Sequence, residues 1–153
     1  MIKKLVSGAQ TGADRAALDV AMERGIPCGG WVPKGRLAED GIIPEYYPNL
    51  EETPDVQVET RTEWNIRDSD ATLILSHGPL DGGSLYTRIT AEKIGKPWLH
   101  LDLNKTGMGH AVRRAKAWIA SVRPHTLNIA GPRASKDPLI YEATARFLKE
   151  LLK

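Results

Sequence analysis

The stretch Ser69–Lys96, SDATLILSHGPLDGGSLYTRITAEKIGK, decides how the rest of the chain is read. Within it, Ala71–Ser76 (ATLILS) is a continuous apolar run of strand length, the pattern of a parallel strand buried on both faces. A glycine-rich loop follows, then a helix over residues 84–94 that stops at Gly95 with Pro97 behind it. Strand, glycine loop, helix and next strand form one unit of an α/β sheet.

The same unit recurs to either side. Ile2–Val6 (IKKLV) predicts a first strand ending in Ser7-Gly8. Residues 13–24 then place Ala13, Ala16, Ala17, Val20 and Ala21 on one helical face, small enough to lie close against a sheet. Cys28–Val32 predicts a second strand, weakened by Gly29 and Gly30. Trp98–Leu103 predicts a fourth strand and Thr126–Ala130 a fifth, separated by a helix over 108–122. The last helix has Asp137 as its expected N-cap and Pro138 at its first position. A short helix is expected near residues 60–67. The expected fold is therefore a Rossmann-like, doubly wound α/β domain spanning 1–153, with a mainly parallel five-stranded sheet and helices on both faces.

Composition narrows the class. The 153 residues suit one domain, and 41% hydrophobic with 26% charged residues is ordinary for a globular chain. Lys and Arg number 21 against 19 Asp and Glu, too balanced to make nucleic acid a default partner. Cys28 is the only cysteine, which excludes an intrachain disulfide and a multi-cysteine metal site. The four histidines show no metal-ligand spacing, so no metal site is expected. The four tryptophans suit core or interface positions better than a base-stacking platform. No apolar run approaches the roughly 20 residues that span a bilayer, and the N-terminus reads as a strand start. The expectation is a soluble, cytoplasmic protein with no membrane partner.

From Pro33 to about Asp55 no period is evident, and prolines and glycines punctuate the segment. It is either a functional loop or an exposed insertion covering a sheet edge. In an open parallel sheet, ligands bind beyond the carboxyl ends of the strands where the order reverses. If the order is 2-1-3-4-5, the loops after the first and third strands flank that crevice. They are Gly8–Asp14 (GAQTGAD) and Gly78–Ser84 (GPLDGGS), each leading into a helix N-terminus that can hold an anion. Glycines at such turns can also do no more than permit the turn. Thr11 and Ser84 can act as caps or as donors to a phosphate, and Asp14 either caps with Thr11 or faces a ligand. Lys34 and Arg36 could close over an anion from the long segment. Asp81 and Arg133 also border the crevice, Arg133 as a phosphate partner or a solvated side chain. Arg61 and Glu63 could pair with each other. The NTPase loop is excluded because Gly12 is followed by Ala13-Asp14, not by Lys and a hydroxyl residue. A dinucleotide fingerprint is disfavoured by the missing third glycine and the missing acid after the second strand.

Five stretches in this order carry a resemblance: SGAQTGADRAALD (7–19), GWVPKGRLAEDGIIP (30–44), NIRDSDATLIL (65–75), GPLDGGSLYT (78–87) and LNIAGPRASKDPLIYE (127–142). Together they resemble the family named "putative molybdenum carrier protein", within the group of SLOG and lonely-guy-type nucleotide-binding proteins. The resemblance covers nearly the whole chain. It implies a Rossmann-like fold, a homo-oligomer (dimer or higher) and a ligand held by the first and third strand loops. Carried over by position, the binding residues are Gly8, Gln10, Thr11 and Gly12, with Gly82, Gly83, Ser84 and Thr87. The expected function is binding or carriage of a small phosphorylated anion, either a nucleotide-like ligand or a molybdenum-pterin cofactor. The alternative is hydrolysis of nucleoside 5′-monophosphates at the N-glycosidic bond. Phosphoribohydrolase relatives place a glutamate in a Pro-Gly-Gly-x-Gly-Thr-x-x-Glu loop, and Ser84-Leu85-Tyr86-Thr87 lacks it in register. Asp81 or Asp14 would have to stand in.

Overall fold

A computed structural model describes residues 1–153. At its centre is β6 (Ala71–Ser76), with all six residues buried. It pairs in parallel with β7 (Trp98–Asp102) on one side and β8 (Thr126–Ala130) on the other, Leu73 lying opposite Leu99 and Ile129. Beyond β8 come β1 (Lys4–Val6), β2 (Cys28–Val32) and β5 (Leu50–Glu52), again all parallel. The sheet order is β5-β2-β1-β8-β6-β7.

Two expectations are corrected here. The sheet has six strands, not five, because the segment without a period contains β5 and a small antiparallel hairpin, β3 (Leu37–Ala38) with β4 (Gly41–Ile42). β5 is an edge strand of sequence LEE, with Leu50 half-buried and both glutamates exposed, so it carries neither alternation nor an apolar run. The order 2-1-3-4-5 is also wrong, since the last strand inserts between the first and third. β8 suits that central place: Leu127 and Ile129 are fully buried, and the amide of Asn128 donates to Thr72 Oγ1 at 3.2 Å.

Helices cover both faces. α1 (Ala13–Glu23) and α4 (Met108–Val122) pack with α5 (Ile140–Leu151) on one face, while α2 (Val58–Arg67) packs with α3 (Gly82–Ile94) on the other. The alanine face of α1 is fully buried, with Phe147 and Leu148 of α5 in the same core. α5 begins at Ile140 rather than at Pro138. Asp137 nevertheless organises the turn before it, its carboxylate accepting the Leu139 N–H at 3.0 Å and its carbonyl the Ile140 N–H at 3.2 Å. None of the four tryptophans is fully buried; Trp31 and Trp64 meet edge to face with centroids 4.7 Å apart. No helix is long and apolar enough to cross a membrane.

Candidate functional site

A cleft of ≈ 410 Å³ opens over the carboxyl ends of β1, β8 and β6, where the strand order reverses, between the loops that follow these strands and the helices α2 and α3. Its lining is mostly polar. The first loop contributes Gly8, Gln10 and Asp14; α2 contributes Glu59, Arg61 and Asn65; the third-strand loop and α3 contribute Asp81, Gly82, Gly83, Ser84 and Thr87. Asn128, Arg133 and Lys136 arrive from β8 and its following loop.

The N-terminus of α3 is open toward this space. No protein acceptor takes the N–H groups of Gly82, Gly83 or Ser84; the first bonded amide is Leu85, which donates to the Asp81 carbonyl at 3.1 Å. Asp81 occupies the N-cap position without capping, because its exposed carboxylate turns to Lys136 Nζ at 2.8 Å. A Cβ on Gly83 would meet nothing within 4 Å, so the approach to these amides is clear. Thr87 lies one turn on, its hydroxyl donating to the Gly83 carbonyl at 2.9 Å.

The N-terminus of α1 is differently used. The Ala13 N–H donates to the Pro132 carbonyl at 3.2 Å. Gly12 has φ +82°, and a Cβ there would stand 2.4 Å from that same carbonyl oxygen. This glycine admits the β8–α5 loop, not an anion. Thr11 accepts the Ala134 N–H at 3.0 Å and donates its hydroxyl to Glu39. Thr11 and Gly12 therefore lie outside the cleft, and of the two glycine loops only the second leaves a helix N-terminus unoccupied. Lys34 is exposed and also lies outside. Arg36 is spent within its own segment, where its Nη2 donates to the carbonyls of Ile43 at 3.2 Å and Pro44 at 3.1 Å.

Arg61 and Asp14 form the floor opposite α3. The Arg61 guanidinium does not pair with Glu63, which instead accepts the Tyr86 hydroxyl. It donates to the Gly8 carbonyl at 2.8 Å and stands 3.9 Å from the Asp14 carboxylate. A Cβ on Gly8 would come within 2.4 Å of Arg61 Nη1, so this glycine is what lets the arginine cross the loop. Asp14 does not cap with Thr11; its carboxylate accepts the Gln10 N–H at 3.3 Å. Burial pushes the Asp14 carboxyl up to about 6, against the opposing pull of Arg61 and of backbone N–H groups. Asn65 uses its side chain on Trp31, accepting its N–H at 2.8 Å and donating to its carbonyl at 3.0 Å. Arg61 and Asn65 sit four residues apart on α2, a helical spacing that would have placed both on one face. Lys136 and Asn128 had no comparable signal, because only the strand order brings β8 beside β6.

No group of three His, Cys, Asp or Glu side chains is placed to hold a metal ion. The cleft brings together three cations (Arg61, Arg133, Lys136), three carboxylates (Asp14, Glu59, Asp81), side-chain amides and free N–H groups.

A parallel sheet covered on both faces, with a polar cleft over the strand carboxyl ends at the reversal of order, defines a Rossmann-like α/β protein. The chain belongs to the circularly permutated YpsA SLOG family, whose sequence model matches residues 5–152. It is similar to the "putative molybdenum carrier protein" of Syntrophus aciditrophicus SB, known from a crystal structure at 1.45 Å. The two share 53% identity over 99% of this chain and 96% of that one, with a TM-score of 0.98. No curated protein matches the chain. In the sheet, β1, β2 and β5 run outward in one direction and β6 and β7 in the other, with β8 between β1 and β6. The cleft lies where the two directions diverge.

Proposed function

We propose that the chain binds a small phosphorylated anion in this cleft and acts as a binding or carrier protein. One observation carries the reading: three adjacent N–H groups, of Gly82, Gly83 and Ser84, lack a protein acceptor at the positive end of a 13-residue helix. Arg61, Arg133 and Lys136 line the same space, each beside a carboxylate (Asp14 at 3.9 Å, Glu39 at 3.2 Å and Asp81 at 2.8 Å), and can turn to an anion that enters it. The candidate binding residues are thus Gly8, Gln10, Asp14, Arg61, Gly82, Gly83, Ser84, Thr87, Arg133 and Lys136. The name of the Syntrophus relative supports a carrier role with a molybdenum-related cargo. The cargo proposed here is a nucleotide-like ligand or a molybdenum-pterin cofactor. With no three-residue ligand set for a metal, molybdenum would enter as an oxyanion or already bound within an organic ligand. The reading takes the chain as a single cytoplasmic domain, homo-oligomeric in solution.

The test is a thermal-shift screen with nucleoside mono-, di- and triphosphates, molybdate, tungstate and a pterin phosphate. A ligand at 100 times its Kd adds about 2.7 kcal/mol. Gly83→Leu, which projects into open space, should keep the unliganded Tm and lose the shift. No stabilisation by any member of the panel overturns the reading.

Asp14 favours a second reading, hydrolysis of nucleoside 5′-monophosphates at the N-glycosidic bond. A buried carboxyl that holds its proton up to about pH 6 is suited to general acid–base work. Chromatography after long incubation with the common monophosphates decides it: without free base, only binding remains.

A further inference from the structure

The rim of the cleft carries a feature that an anion at α3 does not explain. Three hydrogen bonds from two loops converge on the carboxylate of Glu39, at the tip of the β3–β4 hairpin: the hydroxyls of Thr11 and Ser135 and the Ser135 N–H at 3.1 Å donate to it. Arg133 Nε stands 3.2 Å away as an ion-pair partner and donates its own N–H to Ser135 Oγ at 3.1 Å. Two neutral hydroxyls, an amide and a guanidinium around one pair of anionic oxygens make an oxyanion nest, and a phosphate offers such donors the same acceptors. Arg133 uses only its Nε on protein partners, and more than half of its side chain is exposed. Arg133 and Gln10 also line the cleft, and Gln10 Oε1 accepts the Glu39 N–H at 2.9 Å. The nest and the cleft are therefore continuous.

The hairpin that delivers Glu39 packs on the core only through the partly buried Ala38. It forms its own two-stranded sheet apart from the main one. None of residues 37–42 is buried, and Leu37 and Ile42 are 59% and 70% exposed. Ile43 and Tyr47, just beyond it, are the buried anchors. Besides the Glu39 contacts, an ion pair between Asp40 and Arg15 ties the tip down, and Asp40 is half exposed. The pair is bidentate, Arg15 Nη1 and Nη2 donating to the two carboxylate oxygens at 2.5 and 2.8 Å with the arginine side chain only 11% exposed, so lifting the tip has to break it. The bonds to Glu39 lower its pKa, with the Ser135 hydroxyl the largest contributor, so it stays ionised and in place at neutral pH.

We propose that Thr11, Ser135 and Arg133 form a second oxyanion subsite, filled in the free protein by Glu39 and open to a tetrahedral oxyanion of the ligand when the hairpin tip lifts. Glu39 is then a built-in competitor, and apparent affinity is reduced by the fraction of molecules in which it occupies the nest. The inference rests on the reading of the cleft as an anion-binding site and adds to it a second contact and a gate.

The experiment is calorimetric titration of the full chain with inorganic phosphate, molybdate and AMP, using wild type, Glu39→Ala, the near-isosteric Glu39→Gln and the double variant Glu39→Ala/Thr11→Val. Far-UV circular dichroism confirms that each is folded. Glu39→Ala should bind at least one of the three about tenfold more tightly than wild type, Glu39→Gln should fall between, and Thr11→Val should cancel the gain. The arm that responds separates a phosphate nest from one for any tetrahedral oxyanion. If wild type binds AMP and removing Glu39 leaves affinity equal or weaker, the competitor role is overturned while the cleft reading stands. If no protein binds any probe, both are overturned. If only the Glu39 variants bind, the nest is supported and the cleft as primary site is not.

Discussion

Asp14 gives the sharpest quantitative expectation. Its carboxyl lies at the floor of the cleft, 9% exposed, and burial raises its pKa from 3.8 to about 6. The folded protein therefore holds this proton more tightly than the unfolded chain does. The sign follows directly. The contribution of Asp14 to stability is fully present below about pH 4 and is lost as pH rises to about 6, above which it is flat. The span is about 2 pK units at 1.36 kcal/mol each, so the loss is about 3 kcal/mol. Asp14→Asn has no charge to bury and lacks the loss. Urea unfolding of both proteins at steps from pH 4 to pH 8 isolates the effect, because the other carboxylates titrate in both and cancel in the difference. The stability of Asp14→Asn relative to wild type should rise by about 3 kcal/mol between pH 4 and pH 7. In melting temperature that is about 6–12 °C. Parallel profiles for the two proteins would refute the claim that an ionised carboxylate is being forced into the cleft floor. The ligand should show the same proton. An anion in the cleft repels the Asp14 carboxylate, so affinity in wild type should increase as pH falls through about 6, and Asp14→Asn should flatten that rise.

Three further outcomes test the packing around the site. Gly12→Val should destabilise by at least about 2 kcal/mol in denaturant titration, since φ is +82° and a Cβ would stand 2.4 Å from the Pro132 carbonyl oxygen. Phe147→Ala removes a fully buried ring from the α1–α5 core and should cost about 3–5 kcal/mol by the same measurement. Cys28 is buried, and burial raises its thiol pKa, so Ellman's reagent at pH 8 should react slowly with native protein and rapidly in denaturant.

The succession of strand and helix was written locally. ATLILS is apolar at nearly every position, and its burial on both faces needs no knowledge of its neighbours. The alanine face of α1 is likewise periodic, and it proved to be core. The glycine loop before α3 announced its turn and its helix in the same few residues. These features depend on backbone sterics and on the burial of neighbouring side chains, so the sequence carries them by itself.

What the tertiary structure alone decided is which loops meet. Nothing in TLNIA says that β8 inserts between β1 and β6, because strand order is a choice among long-range pairings of similar apolar surfaces. That choice brings Arg133, Lys136 and Asn128 to the cleft and lays Pro132 against the N-terminus of α1. Gly8 and Gly12 read alike as phosphate-loop glycines, yet one makes room for Arg61 and the other for a carbonyl oxygen. β5 escaped notice because an edge strand has little to bury, and the hairpin carrying Glu39 because only Ala38 of it reaches the core. Local sequence determines where the chain turns and which face it buries; the identity of the atom that fills the space beside a glycine is a property of the assembled sheet.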